Sequence, residues 1–370
     1  MNILFISNVL PRNSHGLSWS VPASVKAQQN YDNVLWVNSN SGTLDHWKKV
    51  ESFHKLNEYG SLHLSSFPKP FNRPDLVVFE GFYNDFHEVI FAMELKRNNV
   101  PYVIVPRSAL TYQAMHNHSW LKKKIAHIFF YNRFINNSAA LQYLTKQEKL
   151  DSERVFRHKS FILPNGFNPP EEKKKRFFEK GIKAIFIGRL VPHQKGLDIL
   201  FPAIGKIQDL LRLSNLTLDI YGPIHPETQL LQEIINKNGI DDIVKFKGEI
   251  TGNAKKQVIL DSDLFILTSR FEGHPMGLVE ALAYGIPCLV TPGTNMKDEI
   301  EEYNAGWVTD LSIKGISEKF IDIINSKTLF AEKGLNAQKL ALNYNWDVIA
   351  QNFSVIAKQL VEDNANTSNK

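Results

Sequence analysis

Two glutamates, Glu272 and Glu280, stand eight positions apart in the segment RFEGHPMGLVEALAYGIP, residues 270–287. Glycine and proline break the stretch after Glu272, and MGLVEALAYG has the pattern of a helix that begins near Met276 and ends at Gly285. We expect Glu280 on the first helical turn, where the helix dipole favours a carboxylate and the carboxylate can accept the vicinal hydroxyls of a ribose. Glu272 could accept hydroxyls of a second sugar. A purely structural role for either glutamate stays open at this point.

A second segment, FIGRLVPHQKGLDIL at 186–200, supplies cations beside a predicted helix start. Arg189 and Lys195 follow an apolar strand, and a helix is expected to open near Gly196. Helix N-terminal amides together with two cations suit a diphosphate. The Walker A pattern is absent, and ordinary surface cations are the alternative. The start of the helix after Pro275 is expected to leave the amides of Gly277 and Leu278 free for the same anion, with His274 and Met276 beside the sugar pocket.

The strands and helices that position these residues are predicted by short apolar runs that alternate with helical patterns along the sequence. Such runs predict parallel sheets covered by helices on both faces, with ligands beyond the carboxyl ends of the strands. The segment 164–181 is rich in proline and charge and suits an interdomain linker. We expect an α/β protein with one domain over 1–168, a second over 169–344, and a helix over 345–362 that packs back on the first. The twelve predicted strands are NILFIS, NVLWVN, LVVFE, YVIVP, ALQYL, SFILP, KAIFIG, LTLDIYG, IVKFKG, DLFILTS, PCLVTP and GWVTD.

Composition and charge narrow the class of protein. The 370 residues are 43% hydrophobic, and the single cysteine, Cys288, excludes an internal disulfide. No signal peptide and no span of about 18 apolar residues is visible, so a cytoplasmic protein is expected. Residues 1–169 carry 19 Lys and Arg against 12 Asp and Glu, which favours an anionic partner for the first domain. No nucleic-acid-binding module accompanies this bias.

The order of these motifs resembles the retaining GT-B glycosyltransferases of family 4. The resemblance covers nearly the whole chain and rests on PNGFN (164–168), GRL-x5-KG, YGPIHPE, VKFKGEI and the Glu-x7-Glu segment followed by EALAYGIPCLVTPG. It implies two Rossmann-like domains facing each other across a cleft, a nucleotide-sugar donor as substrate, and neither a metal ion nor another cofactor.

The resemblance also implies roles for single residues. Arg189 and Lys195 would grip the donor diphosphate and stabilise the departing nucleotide. Glu272 would bind the transferred sugar, Glu280 the ribose, and the amides of Gly277 and Leu278 the phosphate. The main chain of Lys247 would hold the base, and Gly16 would close over the phosphates, where a larger residue would block the approach.

Arg107 marks a departure from the family pattern. Many members have a His-Gly pair after the strand that matches YVIVP, and this chain has PRSAL with Arg107 and Ser108 there. Arg107 is therefore a candidate for contact with phosphate or acceptor, against the alternative of an arginine at the cleft rim. The Asp-Ser-Asp at 261–263 imitates a metal motif of another transferase class, but its position before an apolar strand favours a turn or cap.

The stretch 118–135 mixes Lys122, Lys123, Lys124 and Arg133 with large apolar residues. It predicts a basic amphipathic helix suited to an anionic membrane surface, or a core-facing helix with a solvated lysine edge. With the family resemblance, this favours a lipid-linked or polysaccharide acceptor reached at the inner face of the membrane. The sequence thus predicts a hexosyltransferase using a UDP-sugar in cell-surface glycan synthesis. Transfer to a soluble or protein acceptor, and a catalytically silent partner subunit that binds sugar nucleotides, are the alternatives.

Overall fold

The computed structural model describes residues 1–12, 16–83, 85–115, 126–178, 181–224 and 226–368. The chain divides into two compact units. The first unit combines Met1–Gly166 with Trp346–Lys370, and the second is Phe167–Asn345. The lysines at 122–124, which carried the predicted basic helix, lie outside the described residues. Within those ranges, no helix is both long and apolar enough to cross a membrane.

The first unit is built on a seven-stranded parallel sheet with the order β3-β2-β1-β4-β5-β6-β7. Its strands are β1 Asn2–Ser7, β2 Asn33–Asn38, β3 Phe53–Lys55, β4 Leu76–Glu80, β5 Tyr102–Val105, β6 Ala140–Tyr143 and β7 Ser160–Ile162. Its helices are α1 Leu17–Gln28, α2 Phe86–Arg97, α3 Tyr112–Met115, α4 Asn132–Asn136 and α5 Lys146–Glu153, with a π-helical turn at His127–Tyr131 and the C-terminal helix Trp346–Ser368.

Side chains of β1 alternate between two cores, as the two-residue period of a strand requires. Ile3 and Phe5 pack in the cluster that contains Trp346 and Phe353 of the C-terminal helix. Leu4 and its alternating neighbours pack in a second cluster with the residues of α2. The C-terminal helix therefore completes one face of the first unit's sheet.

The second unit is a six-stranded parallel sheet with the order β10-β9-β8-β11-β12-β13. Its strands are β8 Lys183–Ile187, β9 Thr217–Tyr221, β10 Val244–Gly248, β11 Leu264–Leu267, β12 Cys288–Val290 and β13 Gly306–Val308. Its helices are α6 Pro192–Lys195, α7 Leu197–Lys206, α8 Gln208–Leu213, α9 Thr228–Asn238, α10 Gly252–Asp261, α11 Met276–Tyr284, α12 Lys297–Glu302, α13 Ile313–Asn325 and α14 Phe330–Ala341.

Both sheets confirm the predicted α/β class, and all twelve predicted strands form within two residues of their expected bounds. The structure adds β3, whose residues FHK are too short and too polar to show a strand pattern. In each sheet the strand order reverses beside the first strand of the unit. For the second unit this switch point lies between β8 and β11, and ligands of such sheets bind beyond the strand ends there.

The Asp-Ser-Asp segment holds the start of the second unit together. The buried carboxylate of Asp263 accepts the amides of Phe178 at 3.1 Å and Lys183 at 3.0 Å. It also pairs with the Lys174 ammonium at 3.1 Å. Asp263 thus anchors the first residue of β8 and the segment before it, and its main-chain contacts are of the kind expected of a turn or cap.

Candidate active site

Two loops meet at the switch point of the second sheet. After β8, Arg189 lies on a loop, Lys195 ends the one-turn helix α6 rather than lying on the predicted loop, and Gly196 joins α6 to α7; the loop after β11 begins at Thr268. A Cβ on Gly196 would lie 2.0 Å from the Thr268 carbonyl oxygen, and Gly196 has a φ of +66°. Only glycine fits both demands. The Thr268 hydroxyl in turn donates to the Lys195 carbonyl at 3.2 Å, so the two loops form one packed surface.

Lys195 and Glu272 form an ion pair on this surface. The Lys195 ammonium lies 2.5 Å from the Glu272 carboxylate, and their side chains are 10% and 9% exposed. The hydroxyl of Ser269 donates to the same carboxylate oxygen at 2.5 Å, and the side-chain amide of Asn295 donates to the Glu272 carbonyl. Sequence motifs identify the lysine and the glutamate, whereas Ser269 and Asn295 have no motif of their own and were not predicted.

Arg189 stands at the open side of the loop after β8. Its side chain is exposed, and its guanidinium donates to the Gln194 amide oxygen at 3.3 Å. A guanidinium that is exposed in this way can bind an anion through two parallel donors.

The helix α11 points its N-terminus toward β8. A Cβ on Gly277 would come within 3.1 Å of the Ile187 carbonyl oxygen, so a glycine permits the close approach of helix and strand. The amide of Leu278 donates to the Pro275 carbonyl at 2.9 Å, and the amide of Met276 donates to the His274 carbonyl at 3.0 Å. The expectation that the Leu278 amide is free is therefore wrong, because a tight first turn uses it.

Glu280 lies on the second turn of α11, not on the first as expected. The helix begins at Met276, as expected, and Glu280 is its fifth residue, which lies beyond a first turn of about 3.6 residues. Its carboxylate pairs with the ammonium of Lys255 on α10, and the side chains are 16% and 23% exposed. Burial, and then the nearby Glu280 carboxylate, raise the pKa of Tyr284 one turn further along. No motif in the sequence singled out Lys255.

The remaining predicted residues of the second unit lie at two places. The ring of His274 packs against Tyr344, with ring centroids 5.3 Å apart. Lys247 occupies a β-bulge, since β10 and β9 change register between Phe246 and Gly248. A bulge takes a residue's main chain out of the regular ladder, while the Lys247 ammonium lies 3.5 Å from Asp219.

Gly16 and Arg107 belong to the first unit. Gly16 precedes α1 with a φ of −56°, and a Cβ there would meet no atom within 4 Å. Arg107 donates twice to Glu80, at 2.9 and 2.7 Å, and once to Asn165 at 3.0 Å. The side chains of Arg107 and Glu80 are 9% and 3% exposed. The guanidinium is therefore held in a largely buried ion pair within the first unit, and its contact with phosphate or acceptor stays a prediction.

A metal site needs several ligating side chains in one place. Among the residues that the structure describes, no group of three His, Cys, Asp or Glu side chains is arranged to hold an ion. The arrangement in the second unit is instead two lysine–carboxylate pairs, an exposed arginine and a helix N-terminus, gathered near the ends of β8 and β11.

Comparisons with known proteins agree with this arrangement. Residues 168–340 match the model of the family described as glycosyl transferases group 1. A glycosyltransferase of Methanocaldococcus jannaschii, described as uncharacterised, is 28% identical over 206 residues, which are 51% of this chain and 51% of the relative. The chain thus spans about half the length of that relative. A Campylobacter jejuni enzyme named N,N′-diacetylbacillosaminyl-diphospho-undecaprenol alpha-1,3-N-acetylgalactosaminyltransferase is 26% identical over 108 residues, 29% of each chain.

Solved structures match the fold over nearly the whole chain. Anabaena HepE in complex with UDP has a TM-score of 0.75 at 16% identity, covering 97% of this chain and all of that one. The apo form of the lipopolysaccharide outer core galactosyltransferase WaaB has a TM-score of 0.67 at 16% identity, covering 97% and 100%. Residues 168–340 are therefore similar to the glycosyl transferases group 1, and both units of the chain have the parallel-sheet folds of a GT-B protein.

Proposed function

We propose that the chain is a retaining glycosyltransferase that moves a hexose from a UDP-sugar to a lipid-linked or polysaccharide acceptor. The observation that carries the proposal is the Lys195–Glu272 pair at the switch point of the second sheet. An ammonium has three donors, so Lys195 can contact Glu272 and a donor phosphate oxygen together. Glu272 then faces the sugar next to that phosphate.

The reaction needs stabilisation of the charge that develops on the departing diphosphate. Fixed cations placed before the reaction lower such a barrier because they need little reorganisation. Arg189 and Lys195 fill this role in the proposal, with the Gly277 amide at the start of α11 adding the positive end of a helix dipole. Glu280 binds the ribose, the main chain of Lys247 the base, and His274 and Met276 line the sugar pocket. Gly16 leaves room over the phosphates.

Titration of the purified chain with nucleotides and nucleotide sugars tests the donor. UDP and one UDP-sugar are expected to raise the midpoint of thermal unfolding, because a ligand of the native state stabilises it. Slow hydrolysis of that donor, followed by NMR, should first release the sugar with the donor's own anomeric configuration. Lys195→Ala should abolish hydrolysis, and Lys319→Ala, which removes a partly exposed lysine paired with Asp322, should not. Binding without any turnover would favour the silent partner subunit instead.

The acceptor is proposed from the first unit. Phe129 and Phe130 are exposed on the described part of the 118–135 stretch, and the C. jejuni relative is named for a lipid-linked acceptor. The localisation that follows is the cytoplasmic face of a membrane. Vesicles containing anionic lipid should co-sediment the wild type, whereas changing Lys122, Lys123 and Lys124 to Glu should abolish sedimentation. Unchanged sedimentation of the variant would remove the membrane part of the proposal and favour a soluble or protein acceptor.

A further inference from the structure

We propose that Lys255 is a positioning residue that orients Glu280 for the ribose hydroxyls, so that the pair sets the preference for ribose over deoxyribose. This inference rests on the function proposed above, since it assumes a nucleotide at the second sheet. It concerns a lysine on α10 that no motif identifies. The lysine pairs with the carboxylate that the donor's ribose is proposed to meet.

The contact restricts the glutamate before any ligand arrives. Glu280 is 16% exposed and Lys255 is 23% exposed, so the pair is neither fully buried nor freely solvated. A free glutamate side chain would have to be ordered when it bound two hydroxyls, and that ordering lowers affinity. A carboxylate already held by an ammonium loses less freedom, and its remaining lone pairs stay available to hydroxyl donors.

The charge of the ligand gives the lysine a second role. A nucleoside diphosphate is an anion, and an uncompensated carboxylate beside it would repel it. Both carboxylates of the proposed donor site have a lysine as counter-ion, because Lys195 pairs with Glu272 and Lys255 pairs with Glu280. Each lysine therefore reduces the repulsion between the anionic ligand and a carboxylate that is proposed to bind its hydroxyl groups.

The adjacent residue on the same helix supplies a matched control. Lys256 also forms an ion pair, with Glu172 at 2.7 Å, but its side chain is 41% exposed and its partner's is 62% exposed. Lys256→Met therefore removes an ion pair of the same chemical type, one residue away, without touching Glu280.

The test measures the dissociation constants of UDP and 2′,3′-dideoxy-UDP by calorimetry for the wild type, Lys255→Met, Lys255→Arg and Lys256→Met. The wild type should prefer UDP by at least about tenfold, the scale of hydrogen bonds to a charged group. Lys255→Met should lower this preference to about threefold or less. Lys255→Arg should keep most of it, and Lys256→Met should keep all of it. In a Glu280→Gln background, Lys255→Met should cause no further loss, which shows that the lysine acts through the glutamate.

Each outcome decides something. If Lys255→Met binds UDP with the wild-type preference, the proposal is overturned while the proposed function stands. If the wild type binds both nucleotides equally, the ribose role of Glu280 fails and the inference with it. If the wild type binds neither, the proposed function itself is wrong. A general loss of folding in Lys255→Met would show in its thermal unfolding midpoint, and the arginine variant then decides, because loss of preference with the charge retained contradicts the proposal.

Discussion

The Lys195 ammonium lies 2.5 Å from the Glu272 carboxylate, although 77 residues separate them in the chain. They meet because β8 and β11 are neighbours in the second sheet and each is followed by a loop at the same edge. Both side chains are about nine-tenths buried. The pair is therefore part of the fold as well as of the proposed site, and the two contributions can be separated by mutation.

Lys195→Met should lower the free energy of unfolding by about 3 kcal/mol, because it leaves the Glu272 carboxylate largely buried without its counter-charge. Adding Glu272→Gln should recover most of that loss, since the unpaired charge is then gone. Neither variant should hydrolyse or transfer the donor sugar. Urea unfolding of the two variants, with Lys319→Met as the surface control, measures the difference.

Equal stability of the single and double variants would contradict this account of the pair. A double variant that regained transfer would show that the lysine serves folding alone.

Gly196 offers a second test of how the loops hold Lys195. Gly196→Ala would place a Cβ 2.0 Å from the Thr268 carbonyl oxygen, so the backbone of one loop must move. Gly239→Ala is the matched control, with a φ of +61° against +66°, but with its closest atom 3.7 Å away. The free energy of unfolding of the control should fall by about 1 kcal/mol, because alanine must adopt the left-handed conformation there.

The Gly196→Ala variant should lose at least about 2 kcal/mol more than the control, and it should no longer bind UDP. Urea unfolding and calorimetry of both variants give the comparison. If the free energy of unfolding fell equally in both glycine variants, the close packing of Gly196 on Thr268 would contribute nothing to stability.

Local patterns predicted the elements because each parallel strand is a continuous apolar run between turn residues. The same patterns identified Glu272, Glu280, Arg189 and Lys195 as candidates, since each pair lies within one short segment of the sequence. Lys255 was not predicted, because its contact with Glu280 joins two different helices and the two residues do not form a short sequence motif.

The sequence pattern also could not show which main-chain amides are already hydrogen-bonded within the fold. Pattern alone placed Glu280 on the first turn of its helix and left the Leu278 amide free, and the structure corrects both. The helix start near Met276 was predicted, but the pattern does not show that the Pro275 carbonyl already accepts the Leu278 amide. Arg107 shows the same limit, since its buried partner Glu80 ends a different strand.

Arg107 and Glu80 allow folding and function to be separated in the first unit. Arg107→Met should lower the free energy of unfolding by about 3 kcal/mol, because Glu80 keeps a buried charge without this guanidinium. Arg107→Lys should not restore it, since one ammonium cannot replace two donors in a fixed fork. Adding Glu80→Gln to Arg107→Met should recover stability.

Transfer activity of the Arg107→Met/Glu80→Gln variant then answers the question the sequence left open. Recovered stability with wild-type transfer would assign Arg107 to folding alone. Recovered stability without transfer is the result expected if the guanidinium also contacts phosphate or acceptor.

Glu148 gives a prediction for the pH dependence of stability. Its carboxylate accepts the amides of Leu144, at 2.7 Å, and Ser108. Burial raises the pKa of Glu148 above its usual value of 4.5, against the opposing effect of these amides and of Arg107. The folded chain then binds this proton more tightly than the unfolded chain does. Between pH 4.5 and the raised pKa, stability must therefore fall as pH rises, by at most about 1.4 kcal/mol per pH unit.

Glu148→Gln should remove this slope, because glutamine does not titrate. Glu153→Gln, at a more exposed position of the same helix, should keep it. Urea unfolding of the three chains between pH 4.5 and about pH 8 measures the effect, and the wild-type curve minus the Glu148→Gln curve isolates the single carboxyl. A difference that rises with pH across this window would mean that the two amides and Arg107 outweigh burial. Glu148 would then stabilise the fold as a carboxylate.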